Sequence, residues 1–125
     1  MYNALIIEDD VTVRSYLKRI IQKKFPFNIS EAENGSVGLE KMKNVKPDII
    51  FLDISMPVMS GIEFLEHIKL DSEYSKIPVL VLTAHNDRGT IQKILQLGVS
   101  DYILKPIDPA KTFDRIQQLL DNLEK

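Results

Sequence analysis

Residues 48–53, DIIFLD, decide the fold. Ile49 to Leu52 form a continuous apolar run between Pro47 and Asp53. A strand apolar throughout is covered on both faces, as a parallel sheet requires. Comparable runs lie on either side. Ala4 to Ile7 (ALII) and Pro78 to Leu82 read as buried strands, Tyr102 to Leu104 as a last short one, and Phe27 to Ala32 as a weaker strand with imperfect alternation. Amphipathic stretches fill the intervals. Val13, Tyr16, Leu17 and Ile20 recur at helical spacing with Asp10 placed to cap them, and Gly35 to Met42 carries Val37, Leu39 and Met42. Ser60 to Lys69 aligns Ile62, Leu65 and Ile68, while Ile91, Ile94 and Leu95 mark a helix that Gly98 suits as a stop. Asp108 caps and Pro109 opens a final helix with Phe113, Ile116, Leu120 and Leu123. Five tandem βα units predict a doubly wound α/β domain with a five-stranded parallel sheet and five helices.

Composition agrees with this and narrows the function. The 125 residues suit one domain, 1–125. With 44% hydrophobic and 27% charged residues, the chain has an ordinary globular profile. A net charge of −2 gives no reason to expect direct nucleic-acid binding, which calls for a basic patch. Cysteine is absent, so disulfides and thiolate metal sites are impossible and a reducing cytoplasm is acceptable. The opening MYNALIIEDD has no basic n-region and turns acidic, unlike a signal peptide. No apolar run approaches the roughly 20 residues that span a bilayer, so no membrane insertion is expected.

In open parallel sheets the working site lies beyond the carboxyl ends of the strands, where strand order reverses. The residues just past each apolar run are therefore informative. After the first come Glu8, Asp9 and Asp10; after the third, Asp53; after the fourth, Thr83; after the fifth, Lys105. A single strand-terminal Asp is usually a cap or a loop residue. Acid, Asp, Thr and Lys after the first, third, fourth and fifth strands is a far less ordinary coincidence. Clustered carboxylates repel, by about 4 kcal/mol for a pair ~4 Å apart at an effective dielectric of 20. Hard oxygen ligands suit Mg²⁺, which would relieve that repulsion, and Lys105 adds a fixed positive charge. A cation and an ammonium beside one carboxylate make a phosphoryl-transfer site in which the carboxylate attacks in line.

The segments LIIEDD, DIIFLDISMPVMSG, VLVLTA and DYILKP resemble the marker segments of bacterial response-regulator receiver domains. The resemblance runs from Leu5 to the final helix and implies a flavodoxin-like sheet ordered 2-1-3-4-5. By matching position it implies that Asp53 accepts the phosphoryl group. Asp9 would hold Mg²⁺ directly, Glu8 through water, and Asp53 and the Ser55 carbonyl would complete the protein's ligands. Thr83 resembles the switch hydroxyl, Lys105 the lysine that pairs with Asp53, and Tyr102 the aromatic that turns inward after Thr83 moves. The Lys105–Pro106 bond is expected cis on the same ground. The implied donor is a sensor histidine kinase or a histidine phosphotransfer protein. The implied reader is a downstream protein target or an output domain.

The acidic pair is Glu-Asp rather than Asp-Asp, a variant that should keep metal binding. Ser55 and His85 match positions that set phosphoryl lifetime in the family this chain resembles, and neither is an acid or amide. Plainer roles are expected elsewhere. Asp10 reads as a helix cap, His67 as a solvated surface residue, and Gly61 as a servant of backbone geometry. The Lys18, Arg19, Lys23, Lys24 run reads as a solvated face, with kinase docking as the sharper alternative. Of Leu119 and Leu123, one is open to a surface role and both to a core role.

Three other functions compete. A phosphatase of the haloacid-dehalogenase type wants a second Asp two residues after the nucleophile, where this chain has Ser55. A flavodoxin-like cofactor binder needs a phosphate-cradling loop after the first strand, where Glu8-Asp9-Asp10 would repel a phosphate; no GxxxxGK[ST] loop occurs. A degenerate receiver used only for docking would not need the intact Asp53, Thr83 and Lys105.

Overall fold

A computed structural model describes residues 2–54, 59–84 and 88–124 of the chain. Strand β1 (Asn3–Ile7) leads into helix α1 (Val11–Lys24), β2 (Asn28–Ala32) into α2 (Gly35–Asn44), and β3 (Ile49–Asp53) into α3 (Gly61–Lys69). β4 (Val79–Thr83), α4 (Arg88–Gln96), β5 (Asp101–Leu104) and α5 (Pro109–Leu123) complete the series. The sheet is parallel throughout, with strand order β2-β1-β3-β4-β5. The order reverses between β1 and β3. Helices after neighbouring strands diverge to opposite faces there and leave a crevice at the carboxyl edge.

The apolar runs behave as their lack of alternation requires. Every residue of β3 and of β4 is buried. Ile50 and Leu52 of β3, and Ile54 just past it, face a core built with Met42 of α2, Phe64, Leu65 and Ile68 of α3 and Ile94 of α4. Ile49 and Phe51 face the other core, with Leu17, Ile20 and Ile21 of α1 and Ile116, Leu119 and Leu120 of α5. Edge strand β2 is half-buried along most of its length, which explains its weaker pattern. Phe27 precedes it, buried and stacked on Phe25 with centroids 5.4 Å apart. Leu119 is core and Leu123 exposed.

The helix stops and starts match the sequence cues. Asp10 accepts from the Thr12 and Val13 amides, Asn34 from Val37, and Asp108 from Ala110. Ser60 and Glu63 form a reciprocal capping box. Gly98 has φ of +79°, the left-handed conformation that ends α4 at low cost. The Lys105–Pro106 bond is cis.

Candidate functional site

Parallel register carries four side chains to one rim. Glu8 directly follows β1, Asp53 and Thr83 close β3 and β4, and Lys105 directly follows β5. Backbone bonds hold them there. The Glu8 amide donates to the Ala32 carbonyl (3.0 Å), the Ile54 amide to Leu82 (3.2 Å), and the Lys105 amide to Thr83 (2.8 Å). The last bond ties the backbone of the lysine to that of the threonine.

Three carboxylates meet at this rim. One oxygen from each of Glu8, Asp9 and Asp53 lies within 4.8 Å of the others. They differ sharply in setting. Glu8 is fully buried, Asp53 is 2% exposed, and Asp9 is open to solvent. Lys105 Nζ donates to Glu8 Oε1 at 2.9 Å and to Asp53 Oδ1 at 3.2 Å, joining the first strand to the third from the fifth. Thr83 is buried beside them at the end of β4.

The electrostatics arise from burial and crowding. Loss of water, reinforced by the neighbouring Asp53, pushes the Glu8 carboxyl up to about 8 against the lowering pull of Lys105. Partial burial also acts to raise Asp9, but its contacts with Glu8 and Asp53 and the Lys105 charge outweigh that and hold it below the usual carboxylate range. Burial acts to lower Lys105, yet the Glu8 and Asp53 carboxylates beside it raise its pKa overall. The unlike settings of two adjacent acids are a signature of a working site as well as of a buried ion network.

The donor set fits a small hard cation. Three carboxylate groups converge with one ammonium, so the fully ionised cluster keeps a negative charge that oxygen-seeking Mg²⁺ would offset. The sequence-predicted Glu8, Asp9, Asp53, Thr83 and Lys105 are thus brought to one rim. Tyr102 lies on β5, half-buried against the core that α2, α3 and α4 cover. Ser55, offered as a backbone ligand, and His85 lie outside the described residues.

Sequence reasoning missed Arg14. Its Nη1 donates to the Glu8 carbonyl at 2.7 Å and its Nε pairs with Glu31 Oε1 at 3.3 Å. Nothing in the sequence separates this arginine from the other basic residues of α1. Of those, Arg19, Lys23 and Lys24 are exposed, as a solvated face should be, whereas Lys18 also reaches Glu31 (3.2 Å). Gly61 is needed for close approach: a β-carbon there would lie 2.5 Å from the Asp53 carbonyl and 2.7 Å from Ile54 Cα. Asp10 caps α1, and His67 is exposed, both in the plainer roles expected of them.

Comparison with known proteins places the chain in a family. Residues 4–117 match the response regulator receiver domain. The chain is 33% identical to the chemotaxis protein CheY-3 of Vibrio cholerae, covering 95% of this chain and 92% of that protein. It is 34% identical to hybrid signal transduction histidine kinase D of Dictyostelium discoideum, covering 93% of this chain but 7% of that much longer protein. The signal receiver domain of a histidine kinase from Syntrophus aciditrophicus superposes with a TM-score of 0.91 at 26% identity, covering all of this chain (100%) and 94% of that one.

Proposed function

The chain belongs to the response-regulator receiver family of two-component signalling, in which phosphorylation of an aspartate is the family function, and we propose that Asp53 is the phosphoacceptor here. The supporting observation is the double contact of Lys105 with Glu8 and Asp53, which sets a buried carboxylate beside a fixed ammonium at the strand-order reversal.

In this reading Glu8, Asp9 and Asp53 hold Mg²⁺, and the Ser55 carbonyl is a further ligand. An ion held there would supply positive charge to offset that on the transferring phosphoryl oxygens. The donor is a phosphohistidine of a sensor kinase or a phosphotransfer protein. An Asp53 carboxylate oxygen forms the new O–P bond as the N–P bond of the donor breaks and its electron pair returns to the imidazole. The product is a mixed anhydride carrying about −1.5 to −2 charge, if it resembles other phosphorylated side chains. Lys105 shifts its pairing toward the phosphoryl oxygens, and the Thr83 hydroxyl donates to one of them. Because the Lys105 amide already holds the Thr83 carbonyl, the two loops move together, and Tyr102, between them in sequence on β5, turns inward. These contacts bias a two-state equilibrium.

The domain spans residues 1–125 and assists its own phosphorylation and dephosphorylation while acting as a switch rather than a metabolic enzyme. It is read by a downstream protein or an output domain and works in the cytoplasm. No helix among the described residues is long and apolar enough to cross a membrane.

Acetyl phosphate with MgCl₂ tests the assignment. The native chain takes up one labile phosphoryl group, and Asp53→Asn takes up none. Undiminished labelling of the mutant, at an acid that also carries the label in the native chain, refutes it.

A further inference from the structure

We propose that Arg14 is a positioning residue for the acidic pair, clamping the peptide between Glu8 and Asp9. This rests on the reading of that pair as the metal-holding acids. The two side chains diverge from one peptide unit: Glu8 is buried on Lys105, and Asp9 is exposed at the rim. The carbonyl of that peptide accepts from Arg14 Nη1 at 2.7 Å, a short charge-assisted bond. Arg14 leaves the first turn of α1, and its side chain is 15% exposed. Its Nε is engaged with Glu31 on β2, so one planar group fastens the end of β1 to the neighbouring strand. The amide one residue earlier is held too, by the Ala32 carbonyl of the same strand. With both peptide units flanking Glu8 fixed, the chain turns out of the sheet at a defined angle, and that angle decides where the Asp9 carboxylate stands relative to Asp53. Lysine could keep the charge but not the fork that reaches two acceptors at once.

Electrostatics and positioning predict opposite signs, which makes the role testable. Arg14 is a cation near a cation site, so if only its charge mattered, removing it would tighten Mg²⁺ binding. If it orients the ligands, removing it weakens binding, as loss of groups that orient metal ligands does by about 10–100-fold. The experiment titrates MgCl₂ into the full chain by calorimetry and follows the Asp9 amide by NMR, since that N–H shares its peptide with the clamped carbonyl. Arg14→Gln should weaken Mg²⁺ by about tenfold or more and move the Asp9 amide resonance. Arg14→Lys, which keeps the charge, should weaken it as well. Glu31→Gln leaves an acceptor for Nε and should bind Mg²⁺ close to the native value. Unchanged or tighter Mg²⁺ binding in Arg14→Gln overturns the proposal, as does an equal loss in Glu31→Gln, which would assign the effect to packing of α1 on β2. A native chain that takes up no Mg²⁺ sinks the reading of the acidic site and the positioning role with it. That result is distinct from a native chain that binds and an Arg14→Gln that binds equally.

Discussion

Glu8 concentrates the physics of the site in one residue. Its carboxyl is fully buried and pushed up to about 8, first by loss of water and then by Asp53. A carboxyl with a raised folded pKa contributes stability below its unfolded value, near 4.5, and that contribution is lost as pH rises through about 8. Asp9, held low, loses its contribution only as pH falls below the ordinary carboxylate range, and Lys105, held high, only in strong alkali. Glu8 is therefore the member of this trio whose titration is centred near pH 8. Its proton must leave before it helps hold a divalent ion, so Mg²⁺ affinity should climb from pH 6 through pH 8 and level off above. The gain in thermal midpoint on adding MgCl₂ should be larger at pH 8.5 than at pH 6. Calorimetric scans at the two pH values measure both quantities, and a Mg²⁺ gain independent of pH would contradict the account. The sequence announced an acidic pair but not this inequality. Glu8 and Asp9 are neighbours of like charge, and which one faces the core depends on how β1 ends between β2 and β3.

At the scale of elements, strands were the most legible part. Buried parallel strands need apolar side chains at every position, so β1, β3 and β4 stand out in the chain, and caps such as Asp10 and Asp108 mark helix starts chemically. Edge strand β2 was fainter because half its environment is solvent. Gly61 was legible as a residue serving backbone geometry, but what lies opposite it or Gly38 was not, since no local pattern reports that. A β-carbon on Gly38 would stand 2.6 Å from Ile7 Cδ1, and one on Gly61 2.5 Å from the Asp53 carbonyl. The obstacles differ in kind. Ile7 presents the end of a side chain, whereas Gly61 faces the backbone of β3 itself, and its amide donates to the Ile54 carbonyl at 2.9 Å. Backbone cannot rotate aside. Gly61→Ala should cost about 1–3 kcal/mol in urea unfolding, the usual range for overpacking, and more than Gly38→Ala. It should also weaken Mg²⁺ binding, because the strain falls on the residue bearing a proposed ligand. Equal costs for the two variants would mean that α3 slides away from β3 freely.

At the scale of the whole molecule, the sheet converts sequence order into a spatial meeting. Glu8 and Lys105 are 97 residues apart and touch. Strand order 2-1-3-4-5 sets β3 between β1 and β4, so Asp53 emerges beside the acids of β1 and within reach of an amine leaving β5. That convergence was readable once each strand end was taken as a point on one rim; the reach of the Arg14 side chain was not, because it depends on three elements closing together. The same topology predicts how a signal leaves the site. Lys105 links the acids to β5 through its side chain and to Thr83 through its amide, and Tyr102 lies three residues before it on the same strand. Lys105→Ala removes the first link and spares the second. The apoprotein should still fold, since Lys105 anchors no part of either apolar core, although leaving buried Glu8 without its ammonium will lower stability in neutral solution. At a pH where Glu8 is ionised, Mg²⁺ should bind at least as tightly, because a competing positive charge is gone. What should fail is transmission: beryllofluoride, a phosphoryl mimic, should shift amide resonances around Asp53 but shift Tyr102 and the start of α5 far less than in the native chain. A full response at Tyr102 in Lys105→Ala would route the switch through the Thr83 backbone alone, and the ammonium would then serve the chemistry at Asp53 without carrying its outcome to β5.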